Sequence, residues 1–163
     1  VVTFQSETLT EDLTVTGPLQ VRFHVSTTGT DADYVVKLID VFPDTLSQYP
    51  GNKKDVPMAG YQMLVRGDVL RGRYRNSYED PEPFIPGEIT EVSFEIPDLA
   101  HTFKRGHRLM IQLQHSWFPL VDRNPQQFVN IYTCKESDFI RATHRIYHDR
   151  RHPSHVELMI LVE

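Results

Sequence analysis

The sequence has a single cysteine and no long apolar run. Because Cys134 has no second cysteine to pair with, an internal disulfide is excluded. No apolar stretch approaches the roughly 20 residues that an α-helix needs to cross a bilayer. We therefore expect neither a disulfide framework nor a membrane partner.

An excess of positive charge is also missing. The 163 residues carry 17 Lys and Arg against 22 Asp and Glu, so the formal net charge is −5. Proteins that bind nucleic acids neutralise phosphates with clustered basic side chains. The charge balance therefore argues against a nucleic-acid partner.

The usual signatures of catalysis are missing as well. No serine lies in a Gly-x-Ser-x-Gly sequence, which exposes the nucleophile of α/β-hydrolases on a sharp turn. Nothing resembles a phosphate-binding glycine loop, and Cys134 has no sequence mark of an activated thiol. The sequence alone therefore predicts no catalytic residue and no cofactor.

Histidines are plentiful, but their pattern does not favour a metal site. Four of them crowd towards the C-terminus at spacings of four, four and three: His144, His148, His152 and His155. On a helix the first two would share a face and could chelate zinc. The segment is patterned as a strand and a turn, however, and Pro153 breaks it. We expect solvated or structural histidines, with a metal-dependent enzyme as an alternative.

Strand patterns run through the whole chain. Short segments of alternating or continuous apolar residues indicate β-strands, and no segment has a convincing amphipathic helical pattern. The segments are 2–4, 13–15, 19–26, 34–42, 64–75, 92–96, 109–114, 143–148 and 156–162. Gly17-Pro18 predicts a turn, and Pro97 predicts the end of a strand. About eight main strands with proline-rich connections predict one all-β domain over residues 1–163, an antiparallel jelly-roll sandwich of the galactose-binding-like kind.

A buried ion pair is predicted near the middle of this sandwich. Residues 34–42 are apolar on both faces except at Lys37 and Asp40, which is typical of a central strand. An unpaired buried carboxylate costs several kcal/mol, so Asp40 should have a partner. Arg71 and Arg73 share a face of the segment 64–75 and are natural candidates. The alternative is a solvated basic face.

The stretch 106–124 carries the strongest candidate for an interface. A half-buried strand from Leu109 to Gln114 leads to Trp117, Phe118 and a proline that cannot continue a central strand. Each aromatic side chain can bury roughly 150–250 Å², so the pair either folds back on its own domain or meets a partner. The polar residues that follow are suited to an interface rim: Asp122, Arg123 and Asn124.

A family resemblance is carried by a series of motifs in one order. They are DADYVVKLIDVFPD at 31–44, LRGRYR at 70–75, PGE at 86–88, FKRGHRL at 103–109, SWFP at 116–119, RNP at 123–125, YHD at 147–149 and PS at 153–154. Together they resemble the C-terminal non-catalytic domain of the X-Pro dipeptidyl-peptidase and cocaine esterase family. That family also includes glutaryl-7-aminocephalosporanic acid acylases and α-amino acid ester hydrolases. Gln126-Gln127-Phe128 and Leu158-Met159 depart from the turn and the last strand of many members.

The resemblance implies a non-catalytic jelly roll that follows an α/β-hydrolase domain in the same polypeptide. The Ser, Asp and His of the triad would lie in that other domain, and the jelly roll would pack on it and help to wall the active-site cleft. The start at Val1-Val2-Thr3 suggests an excised C-terminal fragment. A second copy of the full-length protein is a further candidate partner, in a homo-oligomer. The alternative function is an independent carbohydrate-binding module, in which Trp117, Phe118 and nearby tyrosines stack on sugar rings.

Overall fold

The computed structural model of the chain describes residues 1–45 and 56–162, and this part of the chain is nearly all β. Two short 3₁₀ helices, Gly72–Tyr74 and Glu136–Asp138, interrupt it. The strands are β1 (Val2–Gln5), β2 (Leu13–Thr27), β3 (Asp33–Val41), β4 (Gln62–Arg71), β5 (Thr90–Phe103), β6 (Arg108–Gln114), β7 (His144–Tyr147) and β8 (His155–Glu157). The predicted all-β sandwich of about eight strands is confirmed. Among the described residues, no helix has the length and apolar character needed to cross a membrane.

The strands form two antiparallel sheets. The first sheet has the order β1-β6-β3-β4, so β3 is a central strand, as its sequence predicts. In the second sheet β2 lies between β5 on one side and β7 and β8 on the other. β7 pairs with residues 24–27 of β2, and β8 pairs with residues 20–22.

The core lies between the sheets and is supplied by alternate residues of the strands. Val21 and Val25 of β2 face Val36 and Leu38 of β3, and all four side chains are fully buried. Burying one such side chain stabilises the fold by roughly 1.5–3 kcal/mol. Successive side chains point to opposite faces, so this register also determines which residues of each strand lie outside.

Two strands are longer than the sequence predicts. Gly17 does not end a strand; β2 continues past it through an irregularity in register between Gly17 and Leu19. Gly17 has φ 78°, which glycine adopts without strain, so the residue type that favours a turn also suits a bulge. β5 continues past Pro97 because it is an edge strand, where a proline can lie without removing a ladder hydrogen bond.

The C-terminal strand is shorter than predicted. β8 ends at Glu157, and in the described residues 158–162 Ile160 alone forms an isolated bridge, to Val15. Backbone bonds still join this segment to β2, from Thr16 N–H to Met159 O and from Leu161 N–H to Thr14 O. Ile160 and Val162 are exposed, so the predicted inward face does not extend beyond Leu158. The bulge of β2 at Gly17 interrupts the register that a longer β8 would have followed.

Candidate interface at the loop end of the sandwich

Trp117 covers the outside of its own sheet. Its ring is half-buried, and the Lys37 ammonium lies 4.4 Å from the ring centroid. On the next strand a Cβ added at Gly67 would stand 3.2 Å from the ring, so a larger residue there would press on the indole. The tryptophan therefore lies neither in the core nor free in solvent.

Phe118 and its neighbours present an apolar surface to solvent. Phe118 is 64% exposed, although it follows the tryptophan directly. With Asp122 and Arg123 it lines a shallow cavity of about 360 Å³, to which Tyr132 and Phe139 also contribute. The Arg123 guanidinium lies 5.0 Å from the centroid of the Phe139 ring. We name the exposed apolar part of this surface the loop face; its side chains are Phe118, Leu120, Phe128 and Tyr132.

Asn124 anchors the loop and does not belong to a rim, contrary to the prediction. Its side chain is buried, and the amide nitrogen donates hydrogen bonds to Asp31 Oδ2 (3.0 Å) and Asp33 Oδ1 (2.8 Å). Its side-chain oxygen accepts a bond from the Gln126 N–H. Because every polar atom of the side chain has a partner within the domain, the residue holds the loop against the start of β3.

Arg73 pairs with Asp31, and the predicted pair with Asp40 is wrong. Arg73 Nε donates to Asp31 Oδ2 at 2.8 Å, and Nη2 donates to the Val129 carbonyl. The guanidinium also lies 4.8 Å from the centroid of the Phe128 ring. Strand alternation stops at Arg71, since Arg73 lies in the 3₁₀ helix that follows β4. The sequence does contain a signal for this pair. Asp31 and Asp33 lie at the entry of a central strand, where buried carboxylates require a cation nearby.

Asp40 is buried as predicted, but its partners are two histidines. His107 Nδ1 lies 2.7 Å from Asp40 Oδ1, and His101 Nε2 lies 2.9 Å from Oδ2. Arg71 is the register partner of Asp33, at the other end of β3. Seven residues along a strand span roughly 23 Å, which places both arginines out of reach of Asp40.

Three of the four C-terminal histidines contact different partners. The His144 ring stacks on His115 with 3.9 Å between centroids, and His152 Nδ1 lies 3.2 Å from Asp149 Oδ1. His155 Nε2 lies 3.1 Å from Glu157 Oε1. In the ranges 1–45 and 56–162, no three His, Cys, Asp or Glu side chains are arranged to hold a metal ion.

Two buried groups near Asn124 have pKa values that are shifted in opposite directions. Burial raises the pKa of the Asp33 carboxyl to about 6, against the lowering effects of the Asn124 hydrogen bond and the Arg71 charge. Burial also lowers the pKa of His115 to about 4, with the neighbouring His144 acting in the same direction. The folded state therefore favours a neutral imidazole and resists ionisation of Asp33.

Asp33→Asn should remove one component of the pH dependence of stability. Wild-type Asp33 titrates near 3.8 when unfolded and at about 6 when folded, so the folded state binds more protons in this window. Its contribution is present below pH 4 and is lost as the pH rises through 6, by roughly 3 kcal/mol. Because asparagine stays neutral, the variant should gain stability relative to wild type between pH 4 and 7.

Guanidinium denaturation at each pH unit measures the difference in stability between Asp33→Asn and wild type. His115 is present in both proteins, so its opposite contribution cancels in this difference. Asp12→Asn is the control, since the Lys104 hydrogen bond lowers the pKa of Asp12 and moves its window below pH 4. A constant stability difference between Asp33→Asn and wild type over pH 4–7 would contradict an elevated pKa at Asp33.

Comparisons with known proteins agree with this architecture. The family model of the X-Pro dipeptidyl-peptidase C-terminal non-catalytic domain matches residues 1–157. Cocaine esterase from Rhodococcus sp. (strain MB1 Bresler) is 32% identical over 161 residues, which are 99% of this chain and 25% of the esterase. The chain thus spans about a quarter of the length of the curated relatives it matches.

Two solved structures share the fold closely. An aminopeptidase from the marine sediment archaeon Thaumarchaeota archaeon superposes with a TM-score of 0.89 at 41% identity, over 99% of this chain and 26% of the aminopeptidase. An α-amino acid ester hydrolase also gives 0.89 at 41% identity, over 98% of this chain and 25% of the hydrolase. The chain therefore belongs to the X-Pro dipeptidyl-peptidase C-terminal non-catalytic domain family, the non-catalytic part of hydrolase-type proteins.

Proposed function

We propose that this chain is the accessory domain of a serine esterase, acylase or peptidase and has no turnover of its own. It packs through the loop face on an α/β-hydrolase domain of the same polypeptide and helps to wall the active-site cleft. Support comes from the family match and from relatives named as an esterase, an aminopeptidase and an ester hydrolase. The catalytic triad belongs to the other domain.

The observation that carries the proposal is an exposed aromatic surface on a firmly held loop. Phe118 and Tyr132 project into solvent, while Asn124 and Arg73 fix the loop through buried bonds to Asp31 and Asp33. A preorganised surface loses little conformational entropy when it binds. The charges of Asp122 and Arg123 beside these aromatics match the anatomy of an interface, with apolar centre and polar rim.

A carbohydrate-binding module is the second candidate, because another aromatic cavity lies close by. Tyr74 and Tyr132 line it together with Arg71 and Asn130, and its volume is about 380 Å³. The Tyr74 ring stacks on that of exposed Tyr78 at 6.4 Å between centroids. Binding of sugars by the 163-residue chain on a glycan array would favour this function over the accessory role.

Phe118→Ala should lower the activity of the full-length hydrolase about tenfold or more, since a central aromatic contact is worth roughly 2 kcal/mol. The same change should scarcely affect folding, because the ring is 64% exposed in the domain itself. Ester or X-Pro amide turnover per folded molecule measures the effect. The chain without a hydrolase domain should turn over neither substrate.

Leu64→Ala is the matched control for this experiment. Leu64 is an exposed apolar residue of β4, distant in sequence from the loop face, and its loss should leave activity unchanged. Equal activities of the two variants would count against docking through the loop face. Turnover by the 163-residue chain that a serine-directed inhibitor abolishes would count against the non-catalytic role.

A further inference from the structure

The sandwich is closed along one side and open along the other. On the closed side the edge strands β4 and β5 are in contact, and Arg66 Nε donates to the Pro97 carbonyl at 3.1 Å. The opposite side is bordered by β1 of the first sheet and by the short strands β7 and β8 of the second. β7 and β8 have four and three residues, whereas β5 has 14.

Side chains that point inward are exposed at the open side. Val2 and Phe4 are the register partners of Leu113 and Ile111, and directly opposed residues project to the same face. Leu113 is 1% exposed and Ile111 is 9% exposed, whereas Val2 and Phe4 are 44% and 45% exposed. Residues that should complete the core therefore lack a cover, which is typical of a surface that meets a partner.

An apolar groove runs between these edges. We name it the edge groove; its apolar lining consists of Phe4, Leu109, Ile111, Ile146, Val156 and Leu158, over a floor that includes Phe23. Its cavity of about 250 Å³ adjoins a second one of about 350 Å³, which Val1 and Val2 also line. Among the described residues, the polar side chains in both linings are histidines and one serine, without Asp, Glu, Lys or Arg. The groove therefore suits uncharged apolar side chains.

The outer backbone edge of β1 can accept another strand. Ser6 N–H donates to Leu109 O, and hydrogen bonding alternates along an antiparallel strand, so the N–H groups of Thr3 and Gln5 point away from β6. No described strand lies on that side of β1. An extended segment could pair with this edge while its alternate side chains enter the groove, as in β-augmentation.

We propose that the edge groove is a second docking site, occupied by an extended apolar segment of the hydrolase domain in the same polypeptide. This inference rests on the proposed function. The matched family is by its description a C-terminal domain, so a catalytic portion would precede it, and the polypeptide would enter it at the first strand. Here that strand is β1, whose neighbour Val1 lines the groove itself. A segment tethered at this point is present at an effective concentration in the millimolar range, which favours docking there over distant sites.

Hydrogen–deuterium exchange of the full-length polypeptide tests the strand addition. In wild type the amides of Thr3 and Gln5 should exchange slowly, although no backbone acceptor for them is found among the described residues of the domain. Phe4→Arg places a charge in the groove and should speed their exchange about tenfold or more. Leu64→Arg is the control, since Leu64 is 47% exposed on the other edge of the first sheet and should leave both amides protected. Core amides such as Val25 and Leu38 show whether each variant is folded.

Each result decides a separate point. Fast exchange at Thr3 and Gln5 in wild type overturns the edge-groove proposal even if Phe4→Arg fails to fold. Protection that depends on protein concentration, with a doubled molecular mass, assigns the groove to a second copy and also overturns it. If Phe118→Ala lowers activity while these amides exchange freely, the accessory function stands and only the second docking site fails. If the polypeptide proves to contain no hydrolase domain, the proposed function fails together with this inference.

Discussion

Replacing Arg73 by alanine is expected to destabilise the domain by roughly 3–5 kcal/mol, because it leaves a buried carboxylate without a counter-ion. Asp31 is fully buried, and among the described residues it would retain the N–H of Ala32 and the amide of Asn124 as donors. The Val129 carbonyl would lose its bond from Nη2 at the same time. Chemical denaturation at pH 7 measures the free energy of unfolding.

The control for this prediction is another arginine in an ion pair at the surface. Arg22 lies 3.8 Å from Glu91, and both side chains are about half exposed. Arg22→Ala should change the stability by only about 0–1 kcal/mol, since solvent screens such a pair. Arg73→Lys should fall between the two, because an ammonium cannot reproduce the fork of bonds that the guanidinium makes. Equal losses for Arg73→Ala and Arg22→Ala would show that the buried pair is not structural.

Loss of Arg73 should also affect function through the loop face. The same guanidinium bonds Asp31, holds Val129 and packs on Phe128, so it connects the segment before β3 to the loop that carries Tyr132. A loosened loop would have to become ordered again when it docks. Each side chain that is immobilised in this way costs conformational entropy and weakens binding. Arg73 is thus the physical link between the buried hydrogen bonds of Asp31 and the proposed interface.

The course of the strands could be predicted from the sequence because alternation is a local property. The central position of β3 follows from its apolar residues on both faces, and β6 follows from Leu109, Ile111 and Leu113. Strand limits were less predictable where one residue type suits two structures. Gly17-Pro18 suits a turn, but β2 pairs with β5 on both sides of these residues, so they form a bulge inside β2.

The partners of buried charges could not be predicted in the same way. The pattern around Asp40 shows that a carboxylate is buried, but its histidines lie 61 and 67 residues away on a strand and a turn. Arg73 was expected on a strand face, and a 3₁₀ helix turns it towards Asp31 instead. Asn124 looked suited to a rim because it continues the polar run of Asp122 and Arg123 beside two aromatic residues. Such pairings depend on how the sheets are stacked, which local sequence does not specify.

The open side of the sandwich is a feature that sequence patterns missed. Val2 and Phe4 have the alternation of an ordinary edge strand, and only the lengths of β7 and β8 show that their inner faces lack a cover. If both docking sites are used, the hydrolase domain contacts the end of the sandwich and one side of it. Two contacts on one rigid body would fix the orientation of the loop face over the cleft.

Asp40→Ala is expected to be the second strongly destabilising substitution, at roughly 3 kcal/mol or more. The carboxylate connects β3 of the first sheet to His101 on β5 of the second sheet, and it also holds His107 in the turn before β6. Its removal leaves a buried ring nitrogen of His107 without a partner and breaks a polar contact between the two sheets. Asp40→Asn should lose less stability than Asp40→Ala. Its amide oxygen can accept a hydrogen bond from one imidazole ring, and its amide nitrogen can donate one to the other.

Thermal and chemical unfolding of both variants measure these losses, with Asp12→Ala as the control. Asp12 also receives two hydrogen bonds, from Lys104 Nζ and the Arg105 N–H, but it lies at the surface. Water replaces those bonds when the side chain is removed, so the unfolding midpoint should hardly move. If Asp40→Ala unfolds at the same midpoint as Asp12→Ala, the contact between the sheets is not what makes Asp40 important. A large loss for Asp40→Ala, a smaller loss for Asp40→Asn and almost none for Asp12→Ala would show that the two histidines join the sheets through this carboxylate.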